Sequence, residues 1–287
     1  MAPSDRLLPS IMVEPIVRSA LLEDLGRNGD ITSAAVVPVT TRFVGAIVSR
    51  QPGVVSGVDA AAIAFRLLDP DVELTIVKPE GSSVEPGDVV LQVRGAARAI
   101  LSAERVALNF ASHLSGVATA TARLVAAAKP HGPAKIVCTR KTTPGLRALE
   151  KQAVRAGGGS NHRFGLDDAI LIKDNHIALA GSIRAAVAQA RDHAGHLVKI
   201  EVEADTLAQV EEALAAGVDA ILLDNMSLED LRTAVVMVAG KAITEASGRI
   251  DLSTVAGVAA TGVDLISVGW ITHSAPILDL GLDVESI

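Results

Sequence analysis

Short apolar runs rich in Val, Ile and Leu alternate with Ala-rich stretches through the second half of the chain. The apolar runs predict buried strands at residues 134–138, 169–172, 197–202, 220–223, 242–244 and 265–268. The stretches between them predict helices at residues 146–156, 182–192, 206–216, 227–238 and 253–260. Residues typical of N-caps precede four of these helices, namely Ser182, Asp205, Ser227 and Ser253. Repeated strand–helix units with right-handed crossovers predict a parallel sheet that is closed, or nearly closed, into a barrel.

The chain before about Ser115 follows a different, α+β pattern. Helices are predicted at residues 11–25 and 59–68, and strands at residues 43–49, 74–77 and 84–93, the last with a turn at Pro86-Gly87. Residues 97–128 then predict one or two long helices, interrupted near Gly116 and stopped by Pro130. This change of pattern predicts two domains.

Composition narrows the class of protein. Hydrophobic residues make up 49% of the 287 residues and aromatic residues only 2%, so we expect an aliphatic core of helices packed on a parallel sheet. The net charge of −7 and the scarcity of aromatic rings argue against a nucleic-acid surface. Cys138 is the single cysteine, which excludes an intramolecular disulfide and suits a reducing compartment. With no signal-peptide pattern and no long apolar run, we expect a cytoplasmic protein without a membrane span.

Charged residues or glycines recur at the carboxyl ends of the predicted strands. In chain order they are Thr139-Arg140-Lys141, Lys173-Asp174, Glu201 with Glu203, Asp224-Asn225, Glu245 to Gly248, and Gly269. The carboxyl ends of barrel strands meet at one mouth, where active sites form. Turn chemistry explains one such coincidence, whereas six in succession favour a functional rim.

One part of this rim is strongly cationic. Between Arg140 and His176 the chain has seven Lys and Arg residues against four Asp and Glu. Arg matches carboxylate or phosphate with a planar fork, and Lys adds a point charge. A substrate with several anionic groups is therefore predicted for Arg140, Lys141, Arg163 and Lys173, with His162 beside them. Lys173 directly follows an apolar run, so we expect its stem to be buried.

Acidic and glycine features complete the predicted rim. Glu201 and Asp224 lie on neighbouring predicted strands, where carboxylates commonly hold Mg²⁺ or sugar hydroxyls; an ion pair with Lys173 is the alternative. Ser247-Gly248 and Gly269 could bind phosphate through backbone N–H groups. The run 157–159 of three glycines predicts either a mobile loop that ends in ligand-type side chains or a linker. Spacing leaves open whether Arg147, Lys151 and Arg155 form a solvated helix face or a phosphate-binding patch.

Several of these stretches resemble one family in order along nearly the whole chain. The run from Thr139 to Arg147, TRKTTPGLR, resembles the signature of the quinolinate phosphoribosyltransferases. Similar stretches are EDLG at 23–26 with GDIT at 29–32, ERVALN at 104–109, GGG at 157–159 with NHR at 161–163, IKDNH at 172–176, EVE at 201–203, LLDN at 222–225, EASG at 245–248 and THS at 272–274.

The resemblance implies an α/β fold with an N-terminal α/β sandwich domain and an incomplete parallel α/β barrel. The first domain would span residues 1–116, with residues 275–287 returning to it, and the barrel would span residues 117–274. It also implies a homodimer, or an assembly of dimers, with shared active sites. Arg105 would reach into the partner's site, whereas spacing alone favours a surface ion pair with Glu104.

The resemblance assigns roles to the rim residues. The substrates would be quinolinate and phosphoribosyl pyrophosphate, with Mg²⁺ as cofactor. Quinolinate would be held by Arg140, His162, Arg163 and Lys173, with Thr139 and Lys141 close by. Glu201 and Asp224 would bind the ribose hydroxyls and Mg²⁺, and together with Lys173 they would be the catalytic residues. The 5′-phosphate would lie at Ser247, Gly248 and Gly269, with His273 nearby.

Three positions depart from the family pattern. Cys138 stands where many relatives have Asp, and we expect it to be a packing residue. Arg249 stands where a second glycine often follows Ser-Gly, and Trp270 where a small residue often follows Gly269. The last two flank the expected phosphate loop and could alter its backbone geometry, although Arg249 could also add a phosphate contact.

Three alternatives stay open at this point. The first is a related pyrophosphorylase with another acceptor, such as nicotinate or a molybdenum-associated substrate. The second is an aldolase that forms a Schiff base at Lys173. The third is a non-catalytic sensor of a nucleotide or phosphosugar, against which the acidic pair Glu201 and Asp224 argues.

Overall fold

The computed structural model describes residues 8–284 and shows a mixed α/β fold. The helices are α1 (Ser10–Leu25), α2 (Ile31–Val36), α3 (Val58–Leu68), α4 (Ala97–Ala128), α5 (Arg147–Ala156), α6 (Asp174–Ala180), α7 (Ile183–His193), α8 (Leu207–Ala216), α9 (Leu228–Val238), α10 (Val255–Ala259) and α11 (Trp270–His273). The strands are β1 (Arg42–Ser49), β2 (Gly53–Val54), β3 (Glu73–Ile76), β4 (Ser83–Val84), β5 (Val89–Ala96), β6 (Lys135–Val137), β7 (Ile170–Ile172), β8 (Ile200–Ala204), β9 (Ala220–Asp224), β10 (Ile243–Ser247), β11 (Leu265–Ser267) and β12 (Leu280–Val284). Among the described residues, no helix combines the length and apolar character needed to cross a membrane.

The described chain divides into two compact units. The first contains residues 8–122, 142–158 and 271–284, and the second contains residues 123–141 and 159–270. The sequence predicted a boundary at residue 116, which places α5 in the second domain. In the structure α5 belongs to the first unit. A close helix approach explains the difference, since a Cβ added to Gly157 would lie 2.3 Å from the carbonyl oxygen of Ala118 on α4. The predicted spans at residues 1–7 and 285–287 lie outside the described residues.

An antiparallel sheet in the order β12-β1-β5-β3 forms the centre of the first unit. β12 pairs antiparallel with β1, with Gly45 opposite Val284, so the end of the described chain joins the sheet of the N-terminal region. Helix α1 buries Val13, Val17 and Leu21, whose spacing of four residues places them on one face. α1 packs against α3.

Helix α4 is continuous, so the interruption predicted near Gly116 is wrong. A Cβ at Gly116 would lie 2.2 Å from the carbonyl oxygen of Pro276. Glycine is therefore required there because another backbone segment approaches the helix, not because the helix ends.

The first unit also buries a carboxyl group, Glu80, in a turn. Its Oε1 accepts the N–H of Val58 at the start of α3 at 3.0 Å, whereas its Oε2 is buried without a hydrogen-bond partner. Burial raises the pKa of Glu80 to about 7, and neighbouring Asp59 raises it further, against the lowering effect of the backbone N–H groups at the start of α3.

Glu80→Gln is expected to stabilise the protein at high pH. A carboxyl whose pKa is raised on folding contributes most below its unfolded value near 4.5, and that contribution is lost as the pH rises through about 7. The free energy of unfolding of the variant should therefore equal that of the wild type near pH 4 and exceed it at pH 8 by at most about 3 kcal/mol. Urea denaturation at both pH values tests this, and an equal difference at the two would contradict it.

The second unit contains the predicted parallel sheet, in the order β6-β11-β10-β9-β8-β7. Every pairing in this sheet is parallel, and Ser160 adds a parallel bridge to Val137 on β6. Within the described residues β7 pairs only with β8, so the barrel is incomplete. All six carboxyl ends point to one edge of the sheet, which confirms the predicted fold class.

The helix starts confirm two of the four predicted caps. Ser182 and Ser227 accept backbone N–H groups three residues ahead. The predictions for Asp205 and Ser253 are wrong by one residue, because the caps are Thr206 and Thr254. Thr206 forms a reciprocal capping box with Gln209, which explains its advantage over the preceding aspartate.

Candidate active site

The carboxyl edge of the parallel sheet gathers most of the predicted site residues. Eleven of them belong to the second unit, namely Thr139, Arg140, Lys141, His162, Arg163, Lys173, Glu201, Asp224, Ser247, Gly248 and Gly269. Arg105 and His273 belong to the first unit, where both side chains are exposed. The described residues contain no ion pair between Arg105 and Glu104, so the surface pair favoured by spacing is not present.

Arg140 and Arg163 are neighbouring cations with unsatisfied donors. The Nε atoms of both are buried and have no hydrogen-bond partner in the described structure. Arg163 donates one hydrogen bond, from Nη1 to the carbonyl oxygen of Ala169 at 3.0 Å. Burial and the adjacent charge of Arg140 lower the pKa of Arg163. Two guanidinium groups held together in this way favour a multiply charged anion between them, because the anion would satisfy the donors and offset the repulsion.

His162 lies between two glutamates. Its Nδ1 accepts the backbone N–H of Arg163 at 2.7 Å, so in the neutral ring the proton lies on Nε2. Nε2 is 3.0 Å from Oε2 of Glu201 and 3.7 Å from Oε1 of Glu245. His162 therefore donates to Glu201.

The same three residues are the candidate metal-binding group that the described residues contain, with ligand atoms within 4.8 Å of one another. A metal at Nε2 would require Nδ1 to carry the proton, whereas Nδ1 already accepts a backbone N–H. The pKa of Glu245 is raised to about 7, first by burial and second by the charge of Glu201. The group is therefore better described as a histidine held between two carboxylates than as a metal site.

Strand register revises the predicted acidic pair. Glu201 lies opposite Ala220, so Asp224 is four positions further along β9, about 13 Å along the strand direction. Glu203 lies opposite Leu222, only two positions from Asp224. Glu203, which the sequence placed on the rim without a role, is therefore the nearer partner of Asp224. The period of two along a strand was the available signal, because it places residues 201 and 203 on the same face.

Lys173 differs from its prediction. Its Nζ forms an ion pair with Oε2 of Glu203, and its side chain is 46% exposed. The expectation of a buried stem is wrong, because β7 is an edge strand that ends at Ile172 and leaves Lys173 outside the sheet. The pair nevertheless connects the end of β7 with β8.

A strained loop follows β10. Gly248 has φ +115°, and an added Cβ would lie 2.4 Å from Oδ1 of Asn225. Asn225 and Arg249 both adopt positive φ values, 52° and 48°. Arg249 therefore keeps the left-handed conformation that a glycine would adopt freely, at a cost of about 1–2 kcal/mol.

The indole of Trp270 supports the same loop. Its Nε1 donates to the carbonyl oxygen of Ile250 at 3.0 Å, which joins the end of β11 to the residue after Arg249. The larger residue at position 270 thus has a structural partner. Both departures from the family pattern, Arg249 and Trp270, are thus accommodated in the loop after β10.

Helix α5 fits neither of the two expectations for its cations. Lys151 is fully buried, and Arg147 donates from Nε to Oγ1 of Thr142 at 3.0 Å. A solvated helix face and a phosphate-binding patch of Arg147, Lys151 and Arg155 would both require three accessible cations, and Lys151 is not accessible. Cys138 is fully buried, as expected for a packing residue, and its Sγ lies 3.3 Å from Oδ1 of Asn161.

Comparisons with known proteins all point to one family. The quinolinate phosphoribosyl transferase family matches through its N-terminal domain at residues 30–115 and its C-terminal domain at residues 117–283. The chain is 44% identical over 274 residues to a probable carboxylating nicotinate-nucleotide pyrophosphorylase of Bacillus subtilis, covering 96% of this chain and 94% of the relative. It is 45% identical over 273 residues to the carboxylating nicotinate-nucleotide pyrophosphorylase of Mycobacterium leprae, covering 93% and 95%. The solved nicotinate-nucleotide pyrophosphorylase of Francisella tularensis superposes with a TM-score of 0.93 at 39% identity, covering 98% of each chain.

Proposed function

Because the chain belongs to the quinolinate phosphoribosyl transferase family, we propose that it transfers the phosphoribosyl group of phosphoribosyl pyrophosphate to quinolinate. The products are nicotinate mononucleotide, pyrophosphate and CO₂. The observation that carries this function is the adjacent, unsatisfied pair Arg140 and Arg163, which suits an acceptor with two carboxylates. Coupled release of pyrophosphate and CO₂ from quinolinate tests it.

The acceptor binds at the cationic end of the rim. Arg140 and Arg163 hold its two carboxylates through charge-assisted hydrogen bonds. Lys173 adds positive potential. Thr139 and Lys141 flank Arg140 in the chain, and His162 directly precedes Arg163. His162 has its Nε2 proton directed at Glu201, so its contribution is to fix the position of Arg163, whose N–H it accepts.

The donor binds at the acidic and glycine-rich end. Ser247, Gly248 and Gly269 take the 5′-phosphate through backbone N–H groups of the loops that follow β10 and β11. The ribose hydroxyls bind Asp224, and strand register favours Glu203 over Glu201 as its partner. The resemblance placed His273 near the phosphate, and in the structure its Nδ1 lies 2.6 Å from Oγ of Ser274.

Mg²⁺ fits the same carboxylates. Asp224 and Glu203 offer the hard oxygen ligands that Mg²⁺ prefers, whereas Glu201 is too far along the strand to share an ion with Asp224 directly. When bound, Mg²⁺ would neutralise charge on the departing pyrophosphate.

The chemistry follows from positioning and electrostatics. The pyridine nitrogen attacks C1 of the ribose as pyrophosphate leaves, and positive charge develops on the sugar. The carboxylates of Asp224 and Glu203 stabilise that charge, and the arginines hold the ring nitrogen in line. Loss of CO₂ from C2 of the alkylated ring leaves an electron pair on C2, which the adjacent positively charged nitrogen stabilises, and a proton from solvent then bonds to C2.

The structure disfavours the aldolase alternative. A Schiff-base lysine is activated in an apolar pocket or beside another cation. Lys173 is instead half-exposed and paired with Glu203. Nicotinate as the acceptor would leave one of the two guanidinium groups without a carboxylate, so the dicarboxylate is favoured.

We also propose a cytoplasmic homodimer with shared sites. Arg105 is exposed on α4 and has no ion-pair partner among the described residues. The edge strand β7 is followed by α6, which buries none of its residues, and Leu179, Leu166 and Phe164 are exposed by 90%, 74% and 43%. An unpaired strand edge with exposed apolar residues is typical of a protein interface.

Mixing two inactive variants tests the shared site. Arg105→Ala and Arg140→Ala should each abolish turnover alone. When they are co-expressed, a mixed dimer keeps one intact site, so activity should recover to about a quarter of wild type for random pairing of a two-fold dimer. No recovery, with mixed dimers shown by mass spectrometry, would contradict the shared site.

A further inference from the structure

Glu150 on α5 is a fully buried carboxylate with both oxygens engaged. Its Oε1 is 2.9 Å from Nε2 of His113 on α4, and its Oε2 accepts the backbone N–H of Thr143 at 3.1 Å. Burying a carboxylate is costly unless it is paired and hydrogen-bonded. These two contacts meet that requirement within the first unit.

Thr143 ends the segment that carries two of the cationic rim residues, Arg140 and Lys141. Residues 138–143 form neither helix nor strand, and contacts at each end of the segment restrict its conformation. β6 is the anchor on the amino-terminal side. On the other side α5 holds the chain twice, through Glu150 to Thr143 and through Nε of Arg147 to Oγ1 of Thr142 at 3.0 Å.

We propose that Glu150, oriented by His113, is a positioning residue for the acceptor. By fixing Thr143 it restricts the segment three residues upstream that contains Arg140 and Lys141, and so lowers the cost of ordering those cations around a dicarboxylate. This inference rests on the proposed function. It differs from a general structural role because the donor-binding residues lie on β8, β9 and β10 and in the loops after β10 and β11, so donor affinity should not depend on Glu150.

Two substitutions of similar size separate the roles of Glu150. Glu150→Leu removes both acceptor oxygens, and we expect the dissociation constant of quinolinate to rise about tenfold or more, the loss of one hydrogen bond to a charged group. Glu150→Gln keeps an oxygen that can accept the Thr143 N–H, so it should restore most of the affinity. The KM for phosphoribosyl pyrophosphate should stay within about twofold of wild type in both, a change of less than about 0.5 kcal/mol.

Calorimetry with quinolinate, steady-state kinetics and hydrogen exchange over residues 138–146 measure these effects. Faster exchange of this segment in Glu150→Leu, together with the selective loss of acceptor affinity, supports the proposal. Unchanged quinolinate affinity in folded Glu150→Leu, or equal losses for acceptor and donor, overturns it.

Thr142→Val gives a second test should Glu150→Leu not fold. It removes the oxygen that accepts from Arg147 and preserves side-chain shape, and we expect a smaller loss of the same selective kind. Unchanged quinolinate affinity in this variant would overturn the proposal. If wild-type protein binds no quinolinate, the proposed function fails, and hydrogen exchange still shows whether Glu150 orders the segment.

Discussion

Arg140→Ala is expected to lower kcat/KM for quinolinate by about 10²–10⁴-fold, since removing one member of a buried charge pair costs about 3–5 kcal/mol. The variant would leave one acceptor carboxylate without its guanidinium partner. Burial is the largest cause that lowers the pKa of Arg163, and the charge of Arg140 is the second. The variant would remove that second cause. Steady-state kinetics with varied quinolinate at saturating phosphoribosyl pyrophosphate measures the effect.

Lys199→Ala is the matched control for Arg140→Ala. Lys199 directly precedes β8, at the opposite edge of the same sheet, and its side chain is 77% exposed in an ion pair with Asp219. An exposed pair contributes at most about 1 kcal/mol to stability, so turnover should not change. Lys173→Ala should lose less activity than Arg140→Ala, because Lys173 is half-exposed. Near-normal turnover by Arg140→Ala would overturn the assignment of the acceptor site.

Gly248→Ala is expected to weaken donor binding by about tenfold or more. The residue has φ +115°, and its new methyl group would lie 2.4 Å from Oδ1 and 3.0 Å from Cα of Asn225. Strained backbone of this kind costs about 1–3 kcal/mol, so the loop after β10 must shift away from the position that suits the 5′-phosphate. The KM for phosphoribosyl pyrophosphate and the free energy of unfolding are the quantities to measure.

Gly262→Ala separates strain from site geometry. Gly262 also has positive φ, 90°, but its nearest neighbour to an added Cβ is Cγ1 of Val235 at an ordinary 3.5 Å. This variant should lose about 1–2 kcal/mol of stability while its KM values stay unchanged. Equal donor KM values for both variants would contradict a phosphate site at Gly248.

The order of elements could be predicted from the sequence because each strand and helix carries its own periodicity. All six parallel strands were anticipated, but β8 and β10 run two and three residues further than their apolar runs. Glu203 and Glu245 were read as residues at or beyond strand ends, whereas they lie within strands. A barrel interior near its mouth accepts carboxylates that have partners, so polarity alone does not mark where such a strand stops.

Glycine was the least predictable residue type. Gly116 was read as a helix break and residues 157–159 as a mobile loop or linker. In the structure, Gly116 and Gly157 instead allow close backbone approaches to Pro276 and Ala118. Such contacts join residues far apart in the chain, so no local pattern reveals them.

The sequence predicted which cations belong to the candidate site, but not which of its acidic residues lie near each other. Arg140 and Arg163 follow from charge density and motif, because both the type and the position of these residues are visible in the sequence. The register that sets Glu203 rather than Glu201 beside Asp224 depends on how β8 and β9 align. That alignment is fixed by packing across the sheet and has no signature within either strand.

The most direct test of the function is product release by the purified protein. The protein should be incubated with phosphoribosyl pyrophosphate, Mg²⁺ and quinolinate carboxyl-labelled at position 2, beside a nicotinate control. The account predicts pyrophosphate and labelled CO₂ in equal amounts with quinolinate, and neither product with nicotinate. Pyrophosphate release with nicotinate but not with quinolinate would contradict the dicarboxylate site built on Arg140 and Arg163.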